Sequence, residues 1–310
     1  MENTRAKTTR NSLILLLTAA IWGMAFVSQS KGMDYMHPFT FNGVRSLIGA
    51  VSILVYILIS RKIAGDKAVP LDWKLNVKAG LLCGIFLTIA STLQQFGIKY
   101  TSVGKAGFIT TLYIIFVPMF GIFLKKKVAP VVWAAAAMAA VGMYLLCMTE
   151  SLRLGAGDIM VFLCAIAFAI QIMTVDHYAA RIDGAVVSCI QFTVCGVVCC
   201  IGALICGQPT FGQLREGLGA LLYAGVLSCG VGYTLQIVGQ KGLNPTVAAL
   251  IMSLESVIAT ISGWIAYKTG LLSTDQTLTG RQIAGCVIVF AAVILVQLPP
   301  EWFRFGKKNV

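Results

Sequence analysis

Gly239 to Gly263 reads GQKGLNPTVAALIMSLESVIATISG, an apolar segment of membrane length with one carboxylate, Glu255, near its middle. A charged group at that depth in hydrocarbon costs about 3 kcal/mol or more, so an acid there needs a reason. The segment also has an echo. Sliding it back by 142 residues lays it without gaps on Gly97 to Gly121, GIKYTSVGKAGFITTLYIIFVPMFG. Gly97/Gly239, Lys99/Lys241, Ala106/Ala248, Ile109/Ile251, Leu112/Leu254 and Gly121/Gly263 are identical, where a composition this biased gives roughly two identities by chance. The expectation is that two halves repeat each other and that Glu255 marks what they enclose.

Working outward, the whole chain has the same character. It is 58% hydrophobic and 12% charged with mean hydropathy +0.85, against about 25% charged in soluble proteins. It reads as an all-α integral membrane protein. Cutting its 310 residues wherever charges or Pro/Gly clusters interrupt apolar runs gives ten spans, at about 12–30, 39–60, 76–97, 103–124, 130–148, 157–175, 185–206, 217–238, 245–267 and 281–298. No large domain outside the membrane is left over. The first run follows Arg5, Lys7 and Arg10 as a signal peptide would, but it lacks a small-x-small cleavage site and reads as a retained helix. The ten cysteines lie mostly inside apolar runs, with neither metal spacing nor a disulfide context.

The net charge of +12 sits in short clusters at helix ends rather than along a groove, which argues against nucleic acid. With the N-terminus inside, 16 Lys/Arg fall inside, 7 outside and Arg45 within a span. That places both termini in the cytoplasm and the protein in the cell's inner (plasma) membrane. Five helices per repeat is an odd number, so residues 1–150 and 151–310 face opposite ways across the bilayer. Inverted repeats of this kind recur in secondary transporters, with the substrate near the midplane between the halves.

Several residues could carry chemistry. Glu255, flanked by Ser253 and Ser256, is a candidate proton carrier or a counter-charge for a cationic substrate; a structural acid held by hydroxyls or amides of a neighbouring helix is the competing reading. Arg45, with Asn42 one turn before it, reads either as a cavity cation or as an interfacial anchor. Trp22 sits mid-span, away from the usual interfacial belt, and could form a cavity wall or packed core. Neutral polar groups recur at membrane depth: Gln29, Gln94, Gln95, Thr110 and Thr111 in the first half, and Gln171, Thr174, Gln191, Tyr233 and Gln236 in the second. Tyr113 falls on Glu255 at the offset of 142. Such a spread suits a wet cavity for polar solutes. Pro118 is a hinge candidate, and Asn244–Pro245 a helix start. His37 and His177 are expected in separate loops, and the sequence carries no metalloprotease, nucleophile-elbow or phosphate-loop motif. An enzyme reading, including a lipid-handling one, would need a clustered acid/base or metal set; no cofactor or metal is expected.

Four stretches give the chain a family resemblance: AIWGMAF (Ala20 to Phe26), GVRSLIGA (Gly43 to Ala50), Lys99 to Gly121, and NPTVAALIMSLESVIATISG (Asn244 to Gly263). Together they resemble the ten-helix, EamA-type branch of the drug/metabolite transporter superfamily over essentially the whole length. Ser253, Leu254, Glu255 and Val257 match that family's Ser-Leu-Glu-Pro-Val pattern, while Ser256 stands in place of its proline and calls a ninth-helix kink into question. Lys126/Lys127 and Lys268/Thr269 stand where acids commonly close the fourth and ninth helices. The resemblance implies two inverted five-helix repeats around a central cavity, and transport, often export, of small metabolites such as amino acids. The expected function is a secondary transporter of a small polar or amphipathic solute by alternating access, with protons as coupling ion. An uncoupled facilitator or channel-like exporter is the alternative, and the protein is expected as a monomer or homodimer.

Overall fold

The structure, a computed structural model, describes residues 2–65, 71–101, 103–124, 129–147, 155–206, 209–273 and 277–297. Among these it forms ten apolar helices and no strand: α1 (Glu2–Gly32), α2 (Pro38–Ala64), α3 (Trp73–Ile98), α4 (Val103–Phe123), α5 (Pro130–Cys147), α6 (Ala156–Tyr178), α7 (Gly184–Cys206), α8 (Leu218–Gln240), α9 (Pro245–Lys268) and α10 (Gly280–Gln297). Eight are long and apolar enough to cross a bilayer; α5 and α10 are shorter, at 18 residues each. Eighteen residues still span about 27 Å. The basic clusters at 125–127 and 304–308, and the boundary expected at 150–151, lie outside the described residues.

Local chemistry sets the helix starts. Asp72 accepts from the Leu75 N–H (3.0 Å) to cap α3, and Asn244 accepts from the Thr246 N–H (2.9 Å) with Pro245 in the first turn of α9. His37 lies in the loop between α1 and α2, as expected, and its Nδ1 accepts from the Phe39 N–H (3.4 Å) to cap α2. Partial burial and the Lys99 charge hold the pKa of His37 below the ordinary histidine value. His177 lies in the last turn of α6, against the expectation of a loop. No cysteine with a described side chain is in a disulfide, and five are fully buried in helix contacts.

The packing is that of two five-helix repeats. Helix α2 packs on α7 and α5 on α10, pairs that exchange into themselves when each helix is replaced by the one five places along. The other large contacts exchange in twos: α3–α6 with α8–α1, α3–α7 with α8–α2, and α1–α9 with α6–α4. The α5–α10 pair stands to one side, while the remaining helices close on the centre.

Both α4 and α9 are interrupted, and at positions 142 apart. The regular helix stops at Thr111 and resumes at Tyr113; it stops at Met252 and resumes at Glu255. At the breaks the Leu112 N–H bonds the Ile109 carbonyl (3.2 Å) and the Leu254 N–H bonds the Ile251 carbonyl (3.3 Å), which tightens the turn. The Thr111 hydroxyl donates to the Phe108 carbonyl (2.8 Å), and the Ser253 hydroxyl to the Leu250 carbonyl (2.7 Å). Hydroxyls that back-bond in this way bend helices. Helix α9 is therefore interrupted without a proline, with Ser256 standing in that position. Pro118 lies within the regular segment Tyr113–Phe123, beyond the break.

Candidate functional site

The breaks bring the first residues of two helical segments face to face. The Tyr113 hydroxyl donates to Glu255 Oε1 at 3.1 Å. The two residues paired by the sequence offset are thus paired in space, across the approximate two-fold that relates the halves. Glu255 is 4% exposed and Tyr113 2%. Gly23 makes room for this junction: a methyl there would stand 2.6 Å from Ile258 Cβ and 2.8 Å from the Glu255 carbonyl, so α1 crosses α9 in near backbone contact.

Glu255 and Tyr113 form part of the wall of a central cavity. Helix α1 adds Trp22, Ala25, Phe26 and Gln29, and α2 adds Arg45. Gln94 and Thr110 come from α3 and α4, Phe168, Gln171 and Ile172 from α6, and Ser228, Tyr233 and Gln236 from α8. Seven helices from both halves therefore contribute. The cavity is closed down to about 30 Å³, room for about one water. A metabolite enters only if the helices part.

Arg45 is buried and points inward rather than reaching back to the interface. Its Nε donates to Asn42 Oδ1 (2.9 Å), and its guanidinium lies 5.5 Å from the Phe41 ring centre. Asn42 is itself fixed by Ser91 (3.0 Å) on α3 and by Cys199 (3.4 Å) on α7, so three helices orient the arginine. No ion pair among the described residues involves Arg45 or Glu255. The cavity thus holds one cation and one acid that do not neutralise each other.

The aromatic side is ordered too. Trp22 Nε1 donates to the Ser228 carbonyl (3.4 Å), and its ring centre is 4.5 Å from that of Tyr233, which meets Phe192 edge-on at 4.9 Å. Around Ser228, residues Tyr223 to Gly232 of α8 adopt a wide π-helical turn; such turns gather at functional sites. Among the amides, Gln94 donates to Thr110 (3.2 Å) and Gln236 to Gln171 (3.3 Å). Gln29 Oε1, Gln171 Nε2 and Gln236 Oε1 are buried without a hydrogen-bond partner, and unmet polar groups in a cavity wall favour a polar occupant.

Of the candidates drawn from the sequence, Glu255, Arg45, Trp22, Tyr113, Gln94, Thr110, Gln171, Tyr233 and Gln236 converge on this cavity. Gln95 does not line it; its Nε2 donates to the Gln29 carbonyl (3.2 Å) and ties α3 to α1. Ser253 lies behind Glu255 and shapes the break, and Pro118 lies away from the cavity on α4. Gln29, one of the neutral polar groups named from the sequence, lines it too, as do Phe26 and Phe168, which were not singled out. The signal for them was available: the offset of 142 also lays Phe26 on Phe168, Gln29 on Gln171 and Gln94 on Gln236.

Known proteins place this arrangement. The sequence pattern of the EamA-like transporter family matches twice, over residues 10–148 and 155–298. An uncharacterized transporter of Archaeoglobus fulgidus is 27% identical over 290 residues, covering 92% of this chain and 84% of its own. One from Clostridium kluyveri is 24% identical, covering 91% of each chain. The uncharacterized transporter YoaV of Bacillus subtilis is 20% identical, covering 96% and 98%. A solved crystal structure shares the fold with a TM-score of 0.73 at 16% identity, covering 96% of this chain and 99% of that one.

Proposed function

The chain belongs to the EamA-like transporter family, and we propose that it is a secondary carrier that exports a small polar or amphipathic metabolite bearing both charges, of the amino-acid class. It is a multi-pass membrane protein, and a transporter by family. The observation that carries the finer reading is the presence of Arg45 and Glu255, unpaired with each other, in one closed cavity. Arg45 would take a carboxylate and Glu255 an ammonium group, with the amides and Tyr233 on the polar middle and Phe26 and Phe168 on the apolar remainder. A cavity too small for its solute, between halves 1–150 and 151–310 read as oppositely oriented, supports alternating access as the mode of transport. The proposed setting is the inner (plasma) membrane with both termini in the cytoplasm, as the distribution of Lys and Arg indicates. Export is the direction that the resemblance of the four stretches implies.

Proton coupling enters at Glu255, which must lose or gain its proton as an ammonium group arrives or leaves. In proteoliposomes a pH gradient is expected to drive accumulation of radiolabelled amino acid. Glu255→Gln is expected to abolish that accumulation, while Arg45→Gln raises the half-saturating concentration. A Glu255→Gln protein with full pH-driven accumulation removes the coupling. The Tyr113 hydrogen bond supports one rival, an uncoupled facilitator in which Glu255 only holds α4 to α9; it predicts downhill flux indifferent to pH.

A further inference from the structure

A second and larger cavity, of about 630 Å³, opens on the N-terminal face of the bundle, between the ends of α2, α6 and α8 and the starts of α3 and α7. Arg61, Arg181 and Lys241 line it, together with two acids. The acids are already engaged by helix N-termini. Asp72 accepts from the Leu75 N–H (3.0 Å), and Asp183 from the Ala185 (2.9 Å) and Val186 (3.2 Å) N–H groups. Among the described residues no ion pair involves the three cations: Lys241 Nζ donates to the Ile182 carbonyl (3.1 Å), Arg181 lies over the Tyr178 ring at 6.0 Å, and the Arg61 side chain has no hydrogen-bond partner. The cavity therefore presents a net positive field.

It is also distinct from the solute cavity. On α8 it uses Thr234 and Val238, with Lys241 just past the helix end, whereas the central cavity uses Tyr233 and Gln236, roughly 140° round the helix. Its rim is apolar and turned outward. Tyr56 is 60% exposed at the rim, and on the membrane side of Arg61 α2 exposes Val51, Val55 and Ile59, one above the other at four-residue intervals. A cationic pocket joined to a lipid-facing apolar strip matches a phosphate that carries an acyl chain, and basic pockets between helices recur as lipid headgroup sites.

We propose that this cavity is a site for an anionic phospholipid, its phosphate among Arg61, Arg181 and Lys241 and an acyl chain along the exposed strip of α2. A free phosphate shares the headgroup chemistry but not the strip. The test is native mass spectrometry of the full-length protein in nonionic detergent, titrated with phosphatidylglycerol or phosphatidylcholine. Wild type is expected to prefer phosphatidylglycerol. Arg61→Gln with Arg181→Gln is expected to lower that preference roughly 10- to 30-fold, at about 1 kcal/mol per cation. Arg61→Lys with Arg181→Lys keeps the charge, and is expected to retain the preference. Millimolar inorganic phosphate is expected not to displace the lipid from wild type. An undiminished preference in the glutamine variant overturns the proposal. So does displacement by inorganic phosphate, which needs no variant to fold.

Discussion

At the scale of single residues, the contact between Tyr113 and Glu255 decides most. A hydrogen bond contributes about 1 kcal/mol, and up to about 3 when its acceptor is ionised, so Tyr113→Phe is expected to slow the proposed pH-driven transport by roughly fivefold or more while the protein still elutes as a folded species. Gly23 makes a sharper structural prediction. A Gly23→Val side chain meets Ile258 and the Glu255 carbonyl, and such overpacking costs about 1–3 kcal/mol. A lowered thermal midpoint in detergent, with Glu255 unchanged, is the expected result. Residue type was enough to find Glu255, Arg45 and the amides, because charge and amide groups in hydrocarbon are conspicuous. Direction was not legible. Gln94 and Gln95 are adjacent in sequence, yet one lines the cavity and the other ties helices together; only the rotation of α3 separates them.

At the scale of elements, the ten helices follow from apolar length alone, and their bounds shift by a few residues, most of all at α1. The breaks in α4 and α9 were less legible. Proline announces a break through its missing N–H, whereas the hydroxyl bonds of Thr111 and Ser253 to Phe108 and Leu250 sit at breaks that no local pattern announces. The double change Thr111→Val and Ser253→Ala is expected to leave substrate binding within roughly twofold and to slow turnover several-fold, since hinge positions act on rate. Stopped-flow uptake against equilibrium binding separates the two. Pro118→Ala, which lies within the regular part of α4, is expected to do less; an equal or larger effect would make Pro118 the hinge. The π-helical turn of Tyr223 to Gly232 had no counterpart in the sequence reading, because its glycines are equally at home in an ordinary membrane helix.

At the scale of the whole molecule, one face is clasped by charge. Lys105 meets Asp158 at 2.6 Å, and Asp158 also accepts from Thr101 (2.8 Å) and from the Gly155 N–H (2.9 Å), joining the starts of α4 and α6. On the opposite face Asn11 reaches only the Lys241 carbonyl (2.7 Å) from α1. Because Asp158 serves three donors, Asp158→Ala is expected to lower the thermal midpoint more than Lys105→Ala, in a comparison of the purified variants. The pairing of halves was legible from one window of sequence, but this difference between faces was not, since it rests on residues with no likeness at the offset of 142. The contact across the approximate two-fold carries a last consequence. In an assembly of two identical five-helix chains, the residue at that position would meet its own copy: two carboxyl groups would share a proton as a coupled pair, and two phenols would leave no acid there. An acid against a phenol needs halves that can mutate independently, and joining them in one polypeptide supplies that freedom. The covalent link thus does more than hold the halves together; it permits a lone carboxyl, faced by a phenol, to stand beside an axis of symmetry.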